Sequence, residues 1–257
     1  MYEQNEIEIS KKFLNEVIAS IDEPIVLLGG WAIYFLINKS YRGTTGRDYI
    51  GSRDIDLGFK LSSQNLERST FAKSYDKLTK DLGFRQLSFR LFKEIHTDTG
   101  EALKQDEAKD IPIYQIFPMY VDFVVDRIPD NFRNYFGFTP VDEPLLRHVF
   151  ANEKNRIVLH EFERTIWIPT PEILLATKIK TYSNRDKDHK RIKDLCDITV
   201  ILLFTSISPI NKVITKFINR KEINKFKNTL TKKEIKQVAN IIDLDLTLID
   251  TAILKIK

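Results

Sequence analysis

The stretch of sequence that decides the fold reads IVLLGGWAIYFL at residues 25–36 and SRDIDLGF at residues 52–59. The first begins with a short apolar run that predicts a buried strand, which Gly29-Gly30 ends before a short apolar helix. Residues 38–53 predict a polar, glycine-rich loop, and the second stretch predicts a strand with alternating polarity. Six of the nine glycines of the chain fall in or between these stretches, which indicates that the backbone there needs unusual freedom.

Asp54 and Asp56 lie two residues apart on the second predicted strand, so their side chains share one face. Like charges this close repel one another unless a metal ion or a basic group balances them. Mg²⁺ binds carboxylate and phosphate oxygens, and the backbone N–H groups of Gly29-Gly30 could hold a phosphate beside it. Such a pair is more often only a wet sheet face, but the upstream Gly-Gly turn favours a metal and phosphate site.

A third carboxylate is predicted further along the chain. Residues 111–117 and 120–126 both read as strands. Asp122 lies inside the second, where an acid is out of place in a buried strand unless it has a partner. Asp126 would face the same way from the end of the strand and is the alternative. An ion pair between Asp122 and an arginine is the purely structural interpretation.

These motifs resemble the DNA polymerase β-type nucleotidyltransferase superfamily, whose members carry a strand ending in Gly-Gly or Gly-Ser, a strand with Asp-x-Asp, and a later third aspartate. The segment GGWA at residues 29–32 followed by SRDIDLGF is most similar to AbiEii-type toxins of toxin–antitoxin and phage-defence systems. It is also similar to antibiotic nucleotidyltransferases that act on aminoglycosides and lincosamides.

The resemblance implies the transfer of an NMP from an NTP to an acceptor hydroxyl, with release of pyrophosphate. It implies two Mg²⁺ ions, held by Asp54, Asp56 and Asp122. Nucleotide binding is assigned to Gly29, Gly30 and Arg53, together with basic residues of the later helices.

The later helices carry a second matching block. Thr170-Pro171-Glu172 is a helix start, and the helix continues as ILLATKIKTYSNR, followed by KDLCDI at residues 193–198. This pattern is similar to the helical part of AbiEii-type toxins, and the matching residues are Lys178, Arg185, Asp194 and, more loosely, Asp197. The resemblance places Lys178 and Asp194 in the active site and gives Lys178 and Arg185 to the nucleotide. A lysine that only extends along an apolar helix flank is the structural alternative for Lys178.

Composition narrows the class of protein. With 257 residues, 42% of them hydrophobic, the chain can bury a sizeable core and is not a disordered protein. A single cysteine, Cys196, excludes an internal disulfide, and four scattered histidines give no zinc-site spacing. No apolar stretch is long enough to span a bilayer and the N-terminus is not typical of a signal peptide, so we expect a cytoplasmic protein without a membrane partner.

The net charge of +4 hides an uneven distribution. Residues 1–172 carry 22 Lys and Arg against 27 Asp and Glu, whereas residues 173–236 carry 16 against 6. Residues 211–236 alone hold nine Lys and Arg, with Phe217 and Phe226 between them. This segment could bind the phosphates of a polyanionic acceptor such as tRNA. A solvated helical surface is the plain alternative.

The element order predicts an α+β fold: a polymerase β-like nucleotidyltransferase domain with a mixed sheet over residues 1–168, then a mainly helical domain over residues 169–257. A long helix is predicted over residues 63–82 and a strand over residues 84–92. The function we expect is that of a Mg²⁺-dependent nucleotidyltransferase, most similar to a toxin that acts on tRNA or another macromolecule and is neutralised by an antitoxin. An antibiotic nucleotidyltransferase and a catalytically silent module that binds RNA or protein are the alternatives.

Overall fold

The structure, a computed structural model, describes residues 3–62, 65–208 and 210–256, and the chain divides into two compact units. The sheet unit comprises the described residues up to Trp31 together with residues 51–168. The helical unit comprises residues 32–50 and the described residues from Pro169 onward. A junction therefore lies at the predicted boundary, but residues 32–50 group with the later segment. That the two parts are separate domains stays a prediction.

Within the residues that the structure describes, the sheet unit is built on one mixed sheet of eight strands. These are β1 (Ile25–Leu27), β2 (Asp54–Phe59), β3 (Arg85–Leu87), β4 (Arg90–His96), β5 (Ile116–Val125), β6 (Val141–Asp142), β7 (Arg156–Leu159) and β8 (Ile166–Pro169). The spatial order is β3-β4-β5-β2-β1-β8-β7, with β6 paired to β5. β2 is parallel to β5 and antiparallel to β1, while β4 is antiparallel to β3 and β5. The predicted α+β class with a mixed sheet is confirmed.

Helices make up most of the remaining chain. They are α1 (Gln4–Ser20), α2 (Gly29–Thr45), α3 (Thr70–Asp76), α4 (Phe132–Phe136), α5 (Leu146–Ala151), α6 (Pro171–Tyr182), α7 (Asp188–Phe204), α8 (Ile210–Ile214), α9 (Arg220–Thr229), α10 (Lys232–Ile242) and α11 (Leu246–Ile253). The first three residues of α2 belong to the sheet unit and the rest to the helical unit. The segment from α6 onward is helical, as predicted.

Helix α2 is longer than the sequence predicted, since it continues to Thr45 through the residues expected to begin a loop at Asn38. The reason is the spacing of Ile33, Ile37 and Tyr41, which places one buried side chain on the same helix face every four residues. The Tyr41 hydroxyl also donates a hydrogen bond to the carbonyl of Ile242, 2.7 Å away. Polar residues lie between Ile37 and Tyr41, so the composition of this segment does not indicate a helix with a buried face.

Two other predictions of local structure were wrong in their bounds. The two strands expected at 111–117 and 120–126 are one strand, β5, preceded by a 3₁₀ turn at Ile113–Gln115. Pro118 is tolerated inside β5 because the pairing with β2 begins only at Tyr120, so the missing N–H of proline leaves no bond to β2 unmade. The strand expected at 84–92 is instead the hairpin of β3 and β4.

The long helix predicted over residues 63–82 is shorter in the structure. Its first two residues lie outside the described part of the chain, and α3 begins only at Thr70, after Ser69 caps it by accepting a hydrogen bond from the N–H of Ala72. The helix then continues as a π-helical turn to Asp81.

Candidate functional site

Two of the three predicted carboxylates are brought side by side by the register of the sheet. Asp56 on β2 and Asp122 on β5 are direct partners in the parallel ladder, although 66 positions separate them in the chain. Side chains alternate along a strand, so Asp54, two residues before Asp56, lies on the same face. The side chains of Asp54 and Asp122 are 27% and 10% exposed, which leaves the face partly open to solvent.

Arg90 on β4 supplies the positive charge at this face. It is the antiparallel partner of Asp122, and its Nη2 lies 2.6 Å from Asp122 Oδ2 and 3.9 Å from Asp54 Oδ2. Its guanidinium also stacks on the rings of Phe89 and Tyr120, with centroids 5.1 and 4.4 Å away. The ion pair between Asp122 and an arginine, left open by the sequence, is therefore present.

Gly29 lies directly against Asp56. It begins α2 with a φ of +61°, and a Cβ at this position would lie 1.9 Å from Asp56 Oδ2. The N–H of Leu28 donates a hydrogen bond to the carbonyl of Asp56, 2.9 Å away, which fixes the approach of the two segments. Only glycine fits here. The 17-residue helix α2 therefore begins beside the Asp56 carboxylate, and its first N–H groups, including that of Gly30, have no partner within the helix.

Two other predicted residues are placed elsewhere. The Arg53 guanidinium lies 3.3 Å from Glu6 Oε1 and stacks on the ring of Phe117, which belongs to the opposite face of β5 from Asp122. Asp126 follows the end of β5 and accepts a hydrogen bond from the N–H of Leu61, 2.8 Å away. The sheet face that carries Asp54, Asp56 and Asp122 is called the carboxylate face below. The structure does not bring Arg53 to this face, and the residue paired with Asp56 across the strands is Asp122 and not Asp126.

The helical unit contains a second cluster, formed by residues of α6 and α7. Lys178 Nζ lies 2.7 Å from Asp194 Oδ1 and 2.8 Å from Asp197 Oδ2, with both carboxylates almost fully buried. Arg185 Nε binds the other oxygen of Asp194 at 2.7 Å, as does the hydroxyl of Thr181 at 3.2 Å. The structure therefore brings together all the residues that the sequence selected in this helical block.

Sequence reasoning missed three members of this cluster: Thr181, Lys193 and Tyr49. Asp197 Oδ1 accepts hydrogen bonds from Lys193 Nζ at 2.6 Å and from the Tyr49 hydroxyl at 2.7 Å. Lys193 could have been found, since it precedes Asp197 by one helical turn. Tyr49 could not, because 148 positions separate it from its partner.

The charges of this second cluster stabilise one another. Burial alone would lower the pKa of Lys178, but Asp194 and Asp197 outweigh it and raise the pKa above its usual value. Burial alone would raise the pKa of Asp194, but Lys178 and Arg185 outweigh it and lower the pKa. Burial, followed by the charge of Asp197, raises the pKa of the Tyr49 phenol, which therefore stays protonated and donates.

The residues of the carboxylate face fit Mg²⁺ by donor type. In residues 3–62, 65–208 and 210–256, no group of three or more His, Cys, Asp or Glu side chains is positioned to hold a metal ion as the structure stands. At the carboxylate face the balancing charge is instead the guanidinium of Arg90. Asp54 and Asp122 share this one guanidinium, and carboxylate oxygens are the protein ligands that Mg²⁺ prefers. Asp54, Asp56 and Asp122 would hold the ions.

Comparisons with known proteins identify no family. No family model matches the chain, and no curated protein matches it. Among solved structures, the chain is similar to an antigenic nucleotidyltransferase-like protein from Paracoccidioides brasiliensis, with 12% sequence identity and a TM-score of 0.42. The match covers 94% of this chain and 93% of the other.

In the part of the chain that the structure describes, no helix is long and apolar enough to cross a membrane.

Proposed function

We propose that this protein is a Mg²⁺-dependent nucleotidyltransferase that moves an NMP from an NTP to an acceptor hydroxyl and releases pyrophosphate. The observation that carries the proposal is the alignment of Asp56 with Asp122 on parallel strands, with Asp54 on the same face and Gly29 against Asp56. The sequence resemblance to polymerase β-type nucleotidyltransferases rests on these same residues.

Each residue of the carboxylate face has a role in the proposal. When bound, Mg²⁺ ions would stabilise the attacking and leaving oxygens of an in-line displacement. Asp54 and Asp56 bind them, and Asp122 also orients the acceptor hydroxyl and accepts its proton. The missing side chain of Gly29 makes room for the Asp56 carboxylate, and the N–H groups at the start of α2 are donors for the triphosphate.

We propose for the cluster formed by α6 and α7 the roles that the resemblance implies, nucleotide binding by Lys178 and Arg185 and a place in the active site for Lys178 and Asp194, with one change. Because Lys178 is buried between two carboxylates, we propose that it positions Asp194. Arg185 has a side chain 36% exposed and is the residue we propose to donate to a phosphate.

The proposed activity is tested by incubating the protein with each labelled NTP, Mg²⁺ and either total tRNA or a panel of hydroxylated small molecules, aminoglycosides and lincosamides included. We expect label transfer and pyrophosphate release with at least one NTP. Transfer to a small molecule alone would favour the antibiotic-modifying alternative. No transfer and no pyrophosphate release under any condition would leave a silent binding module and refute the enzyme.

Replacing Gly29 by alanine should reduce transfer while leaving a folded protein. The new Cβ would displace the Asp56 carboxylate, and a displacement of about 1 Å at a reacting group can cost about 100-fold in rate. Gly137→Ala is the matched control, since Gly137 also has a left-handed φ, of +77°, but nothing lies within 4 Å of its Cβ. Both variants should lose about 1–2 kcal/mol of stability from backbone strain, as measured by urea unfolding. Equal transfer rates in both would show that Gly29 does not position Asp56.

We propose that the acceptor is a polyanion such as tRNA, which binds the basic segment of the helical unit. All nine Lys and Arg of residues 211–236 are exposed, whereas Glu234 is buried. Phe226 is fully buried against the ring of Tyr182 and is not available to an acceptor. The proposal therefore rests on the exposed positive charges of this segment.

Removing three of these charges should weaken tRNA binding and its dependence on salt. For Lys221, Lys227 and Lys232 replaced together by alanine, we expect the slope of log binding constant against log salt concentration to fall by about 2–3. Fluorescence anisotropy of labelled tRNA across a KCl series measures it. The control replaces three exposed lysines of the sheet unit, Lys104, Lys109 and Lys154. An equal change in both triple variants would exclude a specific role of the basic segment.

The finer role that we propose is that of an AbiEii-like toxin with a cognate antitoxin. Its test is growth arrest on expression of the wild-type chain, absent with a transfer-deficient variant and relieved by co-expression of a neighbouring gene. Wild-type growth on expression, with transfer activity demonstrated in the same cells, would refute the toxin role but not the transferase.

A further inference from the structure

Arg90 occupies the position where the proposed function requires metal cations. It bridges Asp122 at 2.6 Å and Asp54 at 3.9 Å, and it is placed there by its own register with Asp122 across β4 and β5. A guanidinium and a metal ion would both bind the same carboxylate oxygens, and the like charges would repel each other. The guanidinium and a metal ion therefore compete for Asp122 Oδ2, and binding of one weakens binding of the other.

The contacts of Arg90 hold the residue in place without fully satisfying its guanidinium. Its Nε is buried and has no hydrogen-bond partner among the described residues. A buried donor without a partner is unfavourable, so the contacts with Asp122 and Asp54 do not satisfy every donor of the guanidinium. The two rings that flank the guanidinium, Phe89 and Tyr120, attract it whether or not a carboxylate is bound.

We propose that Arg90 is the resident counter-ion of the carboxylate face and is exchanged for Mg²⁺ when metal and nucleotide bind. The inference rests on the proposed function, since it takes Asp54 and Asp122 as metal ligands. In the metal-free protein Arg90 offsets the repulsion among the carboxylates. On metal binding it releases Asp122 and stays at the site through its two ring contacts. Arg90 is thus a positioning residue that sets the metal affinity by competition.

The test is a direct measurement of divalent-ion binding by the full chain, by calorimetry with Mg²⁺ and by electron paramagnetic resonance with Mn²⁺. We expect Arg90→Gln to bind the ions about tenfold more tightly than wild type. The metal ion then no longer has to displace the charge-assisted hydrogen bond between Arg90 and Asp122, and a tenfold change in affinity is of the order that one such bond contributes. Without metal, the same variant should have a lower unfolding midpoint, and added Mg²⁺ should raise its midpoint more than that of wild type.

Arg85→Gln is the matched control. Arg85 lies on the neighbouring strand β3, forms its ion pair with Glu94 and stacks on the ring of Phe92 at 4.5 Å. It removes one positive charge from the same unit without contact to Asp54 or Asp122, so its metal affinity should match that of wild type. If Arg85→Gln and Arg90→Gln increase the metal affinity equally, the increase comes from the loss of a positive charge in general and not from exchange at Asp122, and the proposal is overturned.

The remaining outcomes separate this inference from the proposed function. Equal metal affinity in wild type and Arg90→Gln, with nucleotidyl transfer intact in the wild type, overturns the role of Arg90 alone. No metal binding by any variant, and no transfer, overturns both. If Arg90→Gln does not fold without metal, Mg²⁺ should restore its circular dichroism spectrum by replacing the missing counter-ion. Failure to do so also overturns the proposal.

Discussion

Asp54→Asn should lose nucleotidyl transfer by about 1,000-fold or more, since metal coordination contributes several kcal/mol to transition-state stabilisation. Asparagine has the shape of aspartate but lacks the negative charge that binds Mg²⁺. The fold should not change, because the ion pair between Asp54 and Arg90 Nη2 is long, at 3.9 Å, and partly exposed. Transfer is measured with the labelled NTP identified for wild type, and folding by circular dichroism and thermal unfolding.

The control for Asp54→Asn is the same change at Asp142, an exposed carboxylate of the same unit. Asp142→Asn should transfer at the wild-type rate and unfold at the wild-type midpoint. If Asp54→Asn retains wild-type transfer, the assignment of the metal site to this face is wrong. If its thermal midpoint falls sharply, Asp54 has a structural role that the ion-pair geometry does not indicate.

Lys178→Met should destabilise the protein by about 3–5 kcal/mol, the cost of breaking a buried ion pair by removing one partner. The side chains of Asp194 and Asp197 are 2% and 0% exposed, and each loses a cation within 2.8 Å. Methionine fills the volume of the lysine stem, so the loss reports the ion pairs that Lys178 made with the two carboxylates and not a cavity. Urea unfolding followed by circular dichroism measures it, with Lys227→Met on the exposed surface of the same unit expected within about 0.5 kcal/mol of wild type.

A double variant identifies the physical cause of that loss. Adding Asp194→Asn to Lys178→Met removes one of the two buried carboxylates that lost a cation in the first change, and Arg185, partly exposed, can turn to solvent. The double variant should therefore be less destabilised than the sum of the two single variants, by about 1–3 kcal/mol. Additive losses would mean that Lys178 and Asp194 do not interact energetically, and that the stabilising partner of Lys178 is not Asp194.

Two predictions from short sequence patterns agreed with the structure. Alternation along β2 placed Asp54 and Asp56 on one face, and the Thr170-Pro171 pair predicted the start of α6. Predictions of extent were weaker. Helix α2 continues past Asn38 because of burial at Ile37 and Tyr41, a contribution from tertiary packing that the polar residues between them conceal.

The two candidate clusters were predictable to different degrees. Each carboxylate could be selected from the sequence, because an acid in an apolar strand or flanking an apolar helix stripe stands out from its neighbours. The residues that pair with these carboxylates could not be selected from the sequence. Arg90 and Tyr49 stand in ordinary local contexts, and only the structure shows that Arg90 faces Asp122 and that Tyr49 donates to Asp197.

By itself, the sequence determined which chemical groups are available and which of them share a strand face or a helix turn. Those relations follow from the backbone periods of 2 and 3.6 residues, which act over a few neighbouring positions. The tertiary structure decided that β2 pairs with β5 in the register that joins Asp56 to Asp122, and that β4 brings Arg90 to the same place. Strand pairing over such separations depends on how the whole sheet buries its apolar faces, a property of the assembled chain that no short segment contains.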